Sequence, residues 1–313
     1  MVNATSLWHI NATSSGLKTE KLTTLQGYKL VRSLFSLISI GTERIVASGQ
    51  VPENQFMQMK VPYLEGDFGF PLKYGYSIVV VDEDGNKYHV MHPHQDWIQV
   101  EHGDLFLIPA HLPAKRSVLI SNLETACTGY WDGNPDKNES ILIVGYGLIG
   151  ALLANWIKLK GHQNLCILES NAYRKSLALK SGYSVVEEDV QNFDLLYNTT
   201  SNQSGLQYCI DHANMEGRII EMSWYGNKTS TLKLGEAFHT KRLSIKSSQV
   251  SQIPKSMATN WDFASRKKEV LAMLEYDIWD DLLEIEISLQ DSVFWFEKIR
   301  SGPIDPLSIV IKY

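Results

Sequence analysis

Gly145, Gly147 and Gly150 stand in a G-x-G-x-x-G run, Gly145-Tyr146-Gly147-Leu148-Ile149-Gly150, that breaks directly out of the apolar stretch Ile141 to Val144. That spacing serves anion binding by main chain. The first glycine permits a tight turn, the second lets backbone approach a pyrophosphate, and the third lets a helix pack closely on a strand. The helix expected over Ala151 to Lys160 opens there, offering unpaired N–H groups and the positive end of its dipole to phosphates. A second apolar run, Leu165 to Leu168, ends at Glu169, placed to accept hydrogen bonds from adenosine ribose hydroxyls. The same carboxylate repels a ribose phosphate, which favours NAD(H). Arg174 works the other way, because a guanidinium accepts a phosphate or stacks on adenine, so NADP stays open. Its plainer reading is cover, with Lys175, for the start of a surface helix.

The elements that must position these residues are legible as rhythm. From 141 onward short apolar runs alternate with helical segments. Strands are expected at 141–144, 165–168, 184–186, 194–197, 218–222 and 243–247, with helices between most of them, as at 173–181 and 205–213. That alternation implies a parallel sheet wound on both faces, with ligand beyond the carboxyl ends of the strands near Val144. The first 120 residues read instead as β-rich: 28–34 alternates, 77–82 is dense in Val and Ile, and Asp84-Gly85-Asn86 is a hairpin turn leading to 88–90. A further strand at 105–109 stops at Pro109, and the set suggests a small closed or partly open antiparallel barrel. Residues 117–131 are helical. Beyond 265 come a helix (266–276), an extended run (282–289), an amphipathic helix (290–299) and a last strand (307–313) that returns to the first domain. The expected domains are 1–121, 122–264 and the return segment 265–313.

Composition narrows the function. The 313 residues exceed the usual size of one core, and 44% hydrophobic with 20% charged residues is ordinary globular usage. No apolar stretch is long enough to span a bilayer. The net charge of −6 without a basic stripe argues against nucleic acid as partner. Cys127, Cys166 and Cys209 lie far apart and form no CxxC, so neither a disulfide framework nor a cysteine-rich zinc lobe is expected. With no export signal at its start, the chain is expected in the cytoplasm, and its N-x-S/T sequons are read as products of composition.

The order β-rich domain, dinucleotide motif and return segment resembles the medium-chain dehydrogenase/reductase superfamily, the alcohol dehydrogenase-like proteins. The stretches Ser36 to Glu43, Lys73-Tyr74-Gly75-Tyr76-Ser77, Leu123-Glu124-Thr125-Ala126 and His92-Pro93-His94-Gln95 carry the likeness beside the glycine run. They are distantly similar to a branch that includes bacteriochlorophyllide dehydrogenase-like proteins. The resemblance implies a GroES-like β-rich barrel domain with a doubly wound Rossmann domain, and an NAD(P)-dependent oxidoreductase acting on a small molecule. It also implies a homodimer joined through the edge strand of the dinucleotide sheet, here Ile245 to Val250.

The departures matter equally. Zinc-dependent members carry a cysteine at the place of Ser39 and Gly-His-Glu at Gly75-Tyr76-Ser77, with a third ligand near Glu124. Serine and tyrosine hydroxyls are poor zinc ligands, so no catalytic zinc is expected. Another donor must then face the substrate oxygen, since losing one aligned donor costs about 2.7–4 kcal/mol. By resemblance Thr42 supplies a hydroxyl to that oxygen; its alternative is to cap the helix that starts there. Tyr76 donates its phenol into the vacated space, or simply fills it. His94 or His92 serves as acid/base near neutral pH, or is a satisfied loop histidine, and alternation in an extended segment lets at most one face the cofactor. Trp224-Tyr225-Gly226 follows a strand end and either lines the nicotinamide pocket or packs in the core. Hydride transfer is the leading expectation. A dinucleotide-binding sensor or scaffold without turnover, and a metalloenzyme built on Glu43, His92 and Glu124, are the alternatives.

Overall fold

Ile141–Val144 is apolar and buried along its length, as a strand at the centre of a parallel sheet must be, because helices cover both its faces. The computed structural model describes residues 1–23, 25–187 and 192–313, and two units emerge: Met1–Ser121 with Leu274–Tyr313, and Asn122–Met273.

In the second unit six parallel strands lie in the order Ser184–Val185, Leu165–Leu168, Ile141–Val144, Phe193–Asn198, Ala213–Glu221, Ser244–Ser247. The chain works outward on one side of Ile141–Val144 and then returns to its other side, so the order reverses at that strand. A crevice opens at such a reversal beyond the carboxyl ends. Leu142, Phe193, Leu196, Cys209, Ile210 and Ile219 form a core beneath the sheet. The boundary moves from the expected 264 to Met273. Helix Phe263–Met273 stays with this unit because Arg266, Val270 and Met273 are buried, and Arg266 bonds Thr128 and the Val250 carbonyl.

The first unit holds two sheets. In one, Ser14–Leu22 pairs with Val2–Asn11, which meets Leu72–Lys73 and then Glu65–Gly66. The sequence reading missed that first hairpin. Its turn is made by Asn11, whose side-chain oxygen accepts from the Thr13 and Ser14 amides at 2.9 and 3.0 Å. The other sheet orders Ile285–Ser288, Ile309–Lys312, Tyr28–Ile38, Ile78–Val81, Lys87–Val90 and Phe106–Leu107, with Trp97–Glu101 also on Tyr28–Ile38. Ile309 pairs with Ile38 and Val310 with Leu37, so the end of the chain closes against the strand that leads into helix α1 (Ile40–Ala47). Ile38, Ile40, Phe296, Ile299, Ile309 and Ile311 pack together beneath that junction. Among the described residues no helix is long and apolar enough to cross a membrane.

Candidate functional site

The three glycines of the fingerprint are glycine for different reasons. Gly145 has φ +99°, a backbone conformation that other residues rarely hold, and a Cβ there would lie 2.8 Å from Thr199 Oγ1. A Cβ on Gly150 would fall 2.1 Å from the Gly145 carbonyl oxygen, because helix α2 (Leu148–Leu159) lies directly against the strand end. Gly147, the N-cap of α2, is different. Its φ is ordinary (−76°), and among the described residues the only atom within 4 Å of an added Cβ is Arg174 Nη1 at 3.6 Å. Among the described residues nothing requires glycine there, whereas a ligand pressed against backbone would. The first-turn amides of α2 have no intrahelical acceptors, which leaves donors for an anion.

Glu169 stands beside this loop, its Oε2 accepting from the Tyr146 amide at 2.7 Å and its Oε1 from the Asn171 amide at 2.8 Å. Each carboxylate oxygen keeps a second lone pair for a ribose hydroxyl. Arg174 belongs to helix Ala172–Lys180, whose N-cap Asn171 accepts from the Arg174 amide. Its guanidinium reaches back toward Gly147. Leu148 and Ile149 form the first turn of α2, Leu148 buried and Ile149 partly so, and Tyr146 is buried. Gly145 to Gly150, the Glu169 carboxylate and Arg174 are therefore gathered at the carboxyl ends of two neighbouring strands.

A second polar group at the same end of the sheet escaped the sequence reading. Fully buried Asn198 closes its strand and donates to Glu221 Oε2 at 2.6 Å and to Tyr225 Oη at 3.2 Å. Glu221 also accepts from Tyr225 Oη and the Ser223 amide. Burial pushes the Glu221 carboxyl above the usual carboxylate range, opposed by these hydrogen bonds. The signal available in sequence was position: a polar residue ending each of two strands that read as sheet core. Tyr225, expected against nicotinamide or in the core, is committed to this network.

Of the catalytic candidates, Thr42 is partly buried in the first turn of α1. It does not cap the helix, which begins at Ile40 with Ser39 as N-cap. Tyr76 is partly buried, its ring edge-on to Tyr74 at 6.2 Å. His94 is fully buried, with Nε2 2.9 Å from Glu43 Oε2 and Nδ1 2.8 Å from Ser36 Oγ. Of the two expectations for His94, acid/base or satisfied histidine, these contacts fit the second, since both ring nitrogens are engaged within the protein. His92 points elsewhere. Its Nδ1 donates to the Pro93 carbonyl at 2.8 Å, its ring lies 5.2 Å from Tyr63, and it lines a cavity of about 280 Å³ with Lys73, Gln95 and Gln99.

The proposed metal donors are also committed. Glu43 holds His94 and the Ser39 amide, while Glu124 meets Arg266, whose Nε and Nη2 each lie 3.3 Å from Oε1. Among the described residues no three His, Cys, Asp or Glu side chains gather in metal-binding geometry. Glu124 and Arg266 are both buried, so breaking this pair strands a charge. Arg266→Met should lower unfolding stability by about 3–5 kcal/mol, and adding Glu124→Leu should recover most of it. Urea denaturation of the three proteins checks this.

No protein-family model matches the chain, and no curated protein matches it in sequence. Solved structures do match in shape. The chain is similar to L-idonate 5-dehydrogenase from Escherichia coli (TM-score 0.79, 13% identity, covering 100% of this chain and 99% of that one). It is similar also to 2R,3R-butanediol dehydrogenase from Bacillus subtilis (0.77, 16%, 99% of each). Acetophenone reductase from Geotrichum candidum, solved with NAD, is a third (0.73, 14%, 99% and 97%). The chain therefore has the two-domain fold of the medium-chain, alcohol dehydrogenase-like proteins.

Proposed function

We propose that this chain is an NAD(P)-dependent oxidoreductase of the medium-chain type that moves a hydride to or from a carbonyl, alcohol or activated double bond without zinc. The observation that carries the reading is Gly147: space above an ordinary-φ glycine, at the mouth of α2, fits a diphosphate lying on the backbone. Similarity in fold to dehydrogenases, one solved with NAD, supports it. When bound, the nicotinamide supplies or takes the hydride.

The chain's own residues bind and orient. Amides of the Gly145–Gly150 loop hold the diphosphate, Glu169 accepts from the ribose hydroxyls, and Thr42 and Tyr76 donate hydrogen bonds to the substrate oxygen as its charge changes. The zinc-free part rests on donor chemistry, since Ser39 and Tyr76 are hydroxyls and Glu124 is neutralised by Arg266. The reading places a homodimer contact along edge strand Ser244–Ser247, and three free cysteines suit a reducing cytoplasm.

The test is NADH binding by fluorescence, followed by turnover across a panel of aldehydes, ketones, quinones and enones. Binding with no hydride transfer across the panel would leave a dinucleotide-binding protein without turnover. Absence of binding ends the reading. Cofactor choice is checked on one variant. Glu169→Ala removes the carboxylate that repels a 2′-phosphate, and NADPH affinity should then rise at least tenfold relative to NADH, helped by Arg174.

A further inference from the structure

His94, expected as an acid or base or as a satisfied histidine, has a partner at each ring nitrogen. Four groups form one hydrogen-bonded line through the first unit. Tyr313 Oη lies 2.8 Å from Ser36 Oγ, Ser36 Oγ lies 2.8 Å from His94 Nδ1, and His94 Nε2 lies 2.9 Å from Glu43 Oε2. Glu43 Oε1 closes the line by accepting from the Ser39 amide at 2.8 Å, the start of α1. Ser36, His94 and Glu43 are completely buried, so no water competes for these bonds.

The proton positions follow. A carboxylate only accepts, so Nε2 carries the hydrogen, Nδ1 accepts from Ser36, and Ser36 accepts from the Tyr313 phenol, which burial holds protonated. The line runs in one direction and every member is satisfied. It ends on Glu43, whose charge lies against the positive end of α1.

Thr42 directly precedes Glu43 on that first turn. The imidazole also bears on Gly75, which directly precedes Tyr76. Gly75 has φ +140°, and a Cβ there would sit 3.0 Å from the His94 amide nitrogen and 3.1 Å from Nε2. The His94 amide donates to the Tyr74 carbonyl at 3.4 Å. One buried ring thus fixes the neighbours of both candidate hydroxyls.

We propose that His94 and Glu43 are positioning residues: a buried imidazole–carboxylate latch that holds the segments carrying Thr42 and Tyr76 at fixed places in the first unit. The proposal rests on the oxidoreductase reading for its catalytic consequence. The latch itself does not depend on it.

Two substitutions separate latch from acid/base. A glutamine at 94 offers one donor for Glu43 and one acceptor for Ser36; a phenylalanine fills the ring's volume and offers neither. With the panel substrate giving the fastest wild-type rate, His94→Phe should lower kcat at least tenfold. His94→Gln should stay within threefold of wild type. The NADH dissociation constant should be unchanged in both, because the glycine loop belongs to the other unit. Amide hydrogen exchange read on the first turn of α1 and on residues 75–76 should quicken at least tenfold in His94→Phe and little in His94→Gln. Equal loss of kcat in both variants, with exchange unaltered, would return His94 to acid/base chemistry and overturn the proposal. Exchange unaltered in His94→Phe would overturn it on its own. If the wild-type protein turns over nothing, the oxidoreductase reading fails, and exchange alone decides the latch.

Discussion

Gly147→Asp should weaken NADH binding at least a hundredfold, about 2.7 kcal/mol, while the protein melts where the wild type does. The two halves of that expectation come from separate observations. Among the described residues the added Cβ meets only the end of the flexible Arg174, at 3.6 Å, so the fold should tolerate the change. It projects into the space where a diphosphate would lie and brings a like charge. Gly150→Ala supplies the contrast. There the new carbon would sit 2.1 Å from the Gly145 carbonyl oxygen, and either α2 or the turn must move. Lost stability of about 1–3 kcal/mol or more should accompany any lost affinity in that variant. Titration of NADH fluorescence beside thermal melts of both proteins distinguishes them. Unimpaired binding by the aspartate variant would mean that the loop grips no diphosphate.

The first unit should be acid-sensitive in a window set by two imidazoles. His9 and His92 are each held down to about 3, chiefly by burial; Arg300 adds to this for His9, and for His92 the hydrogen bond to the Pro93 carbonyl opposes it while Lys73 adds to it. Both stay neutral in the fold and gain protons readily once unfolded. Stability is therefore whole above pH 6.5 and falls as the pH drops, because the unfolded chain binds more protons, until the folded values near 3 are passed. Each histidine costs about 1.4 kcal/mol per pH unit inside that window, so the pair removes about 5 kcal/mol by pH 4.5. His92→Phe, which keeps the contact with Tyr63, should take away about half of that slope. Urea midpoints measured from pH 7.5 to 4.5 check the sign and the share.

The dinucleotide unit was legible because its signals are local. Ile141–Val144, Leu165–Leu168 and the glycine turn are consecutive in sequence and act on one another in space, and periodicity placed the strands within a few residues. The first hairpin was not legible. Val2–Asn11 carries Asn, Thr, Ser and His among its apolar residues, and its pairing is settled by Asn11 at the turn and by distant Leu72. Whether His94 stood open or satisfied was not legible either, because its partners lie at 36, 43 and 313, separations that no spacing rule reaches. Arg266 was assigned to the return segment since nothing near it in sequence announces Glu124.

The pairing of Ile309–Lys312 with Tyr28–Ile38 has a consequence for how the chain is born. Asn122–Met273 is one uninterrupted stretch and can collapse while its tail is still being synthesised. Strand Tyr28–Ile38 must wait, exposed along one edge, until residues 309–312 have left the ribosome. Entropy makes so distant a closure slow, and a nascent polypeptide stalled before residue 309 should be captured readily by chaperones that recognise bare strands.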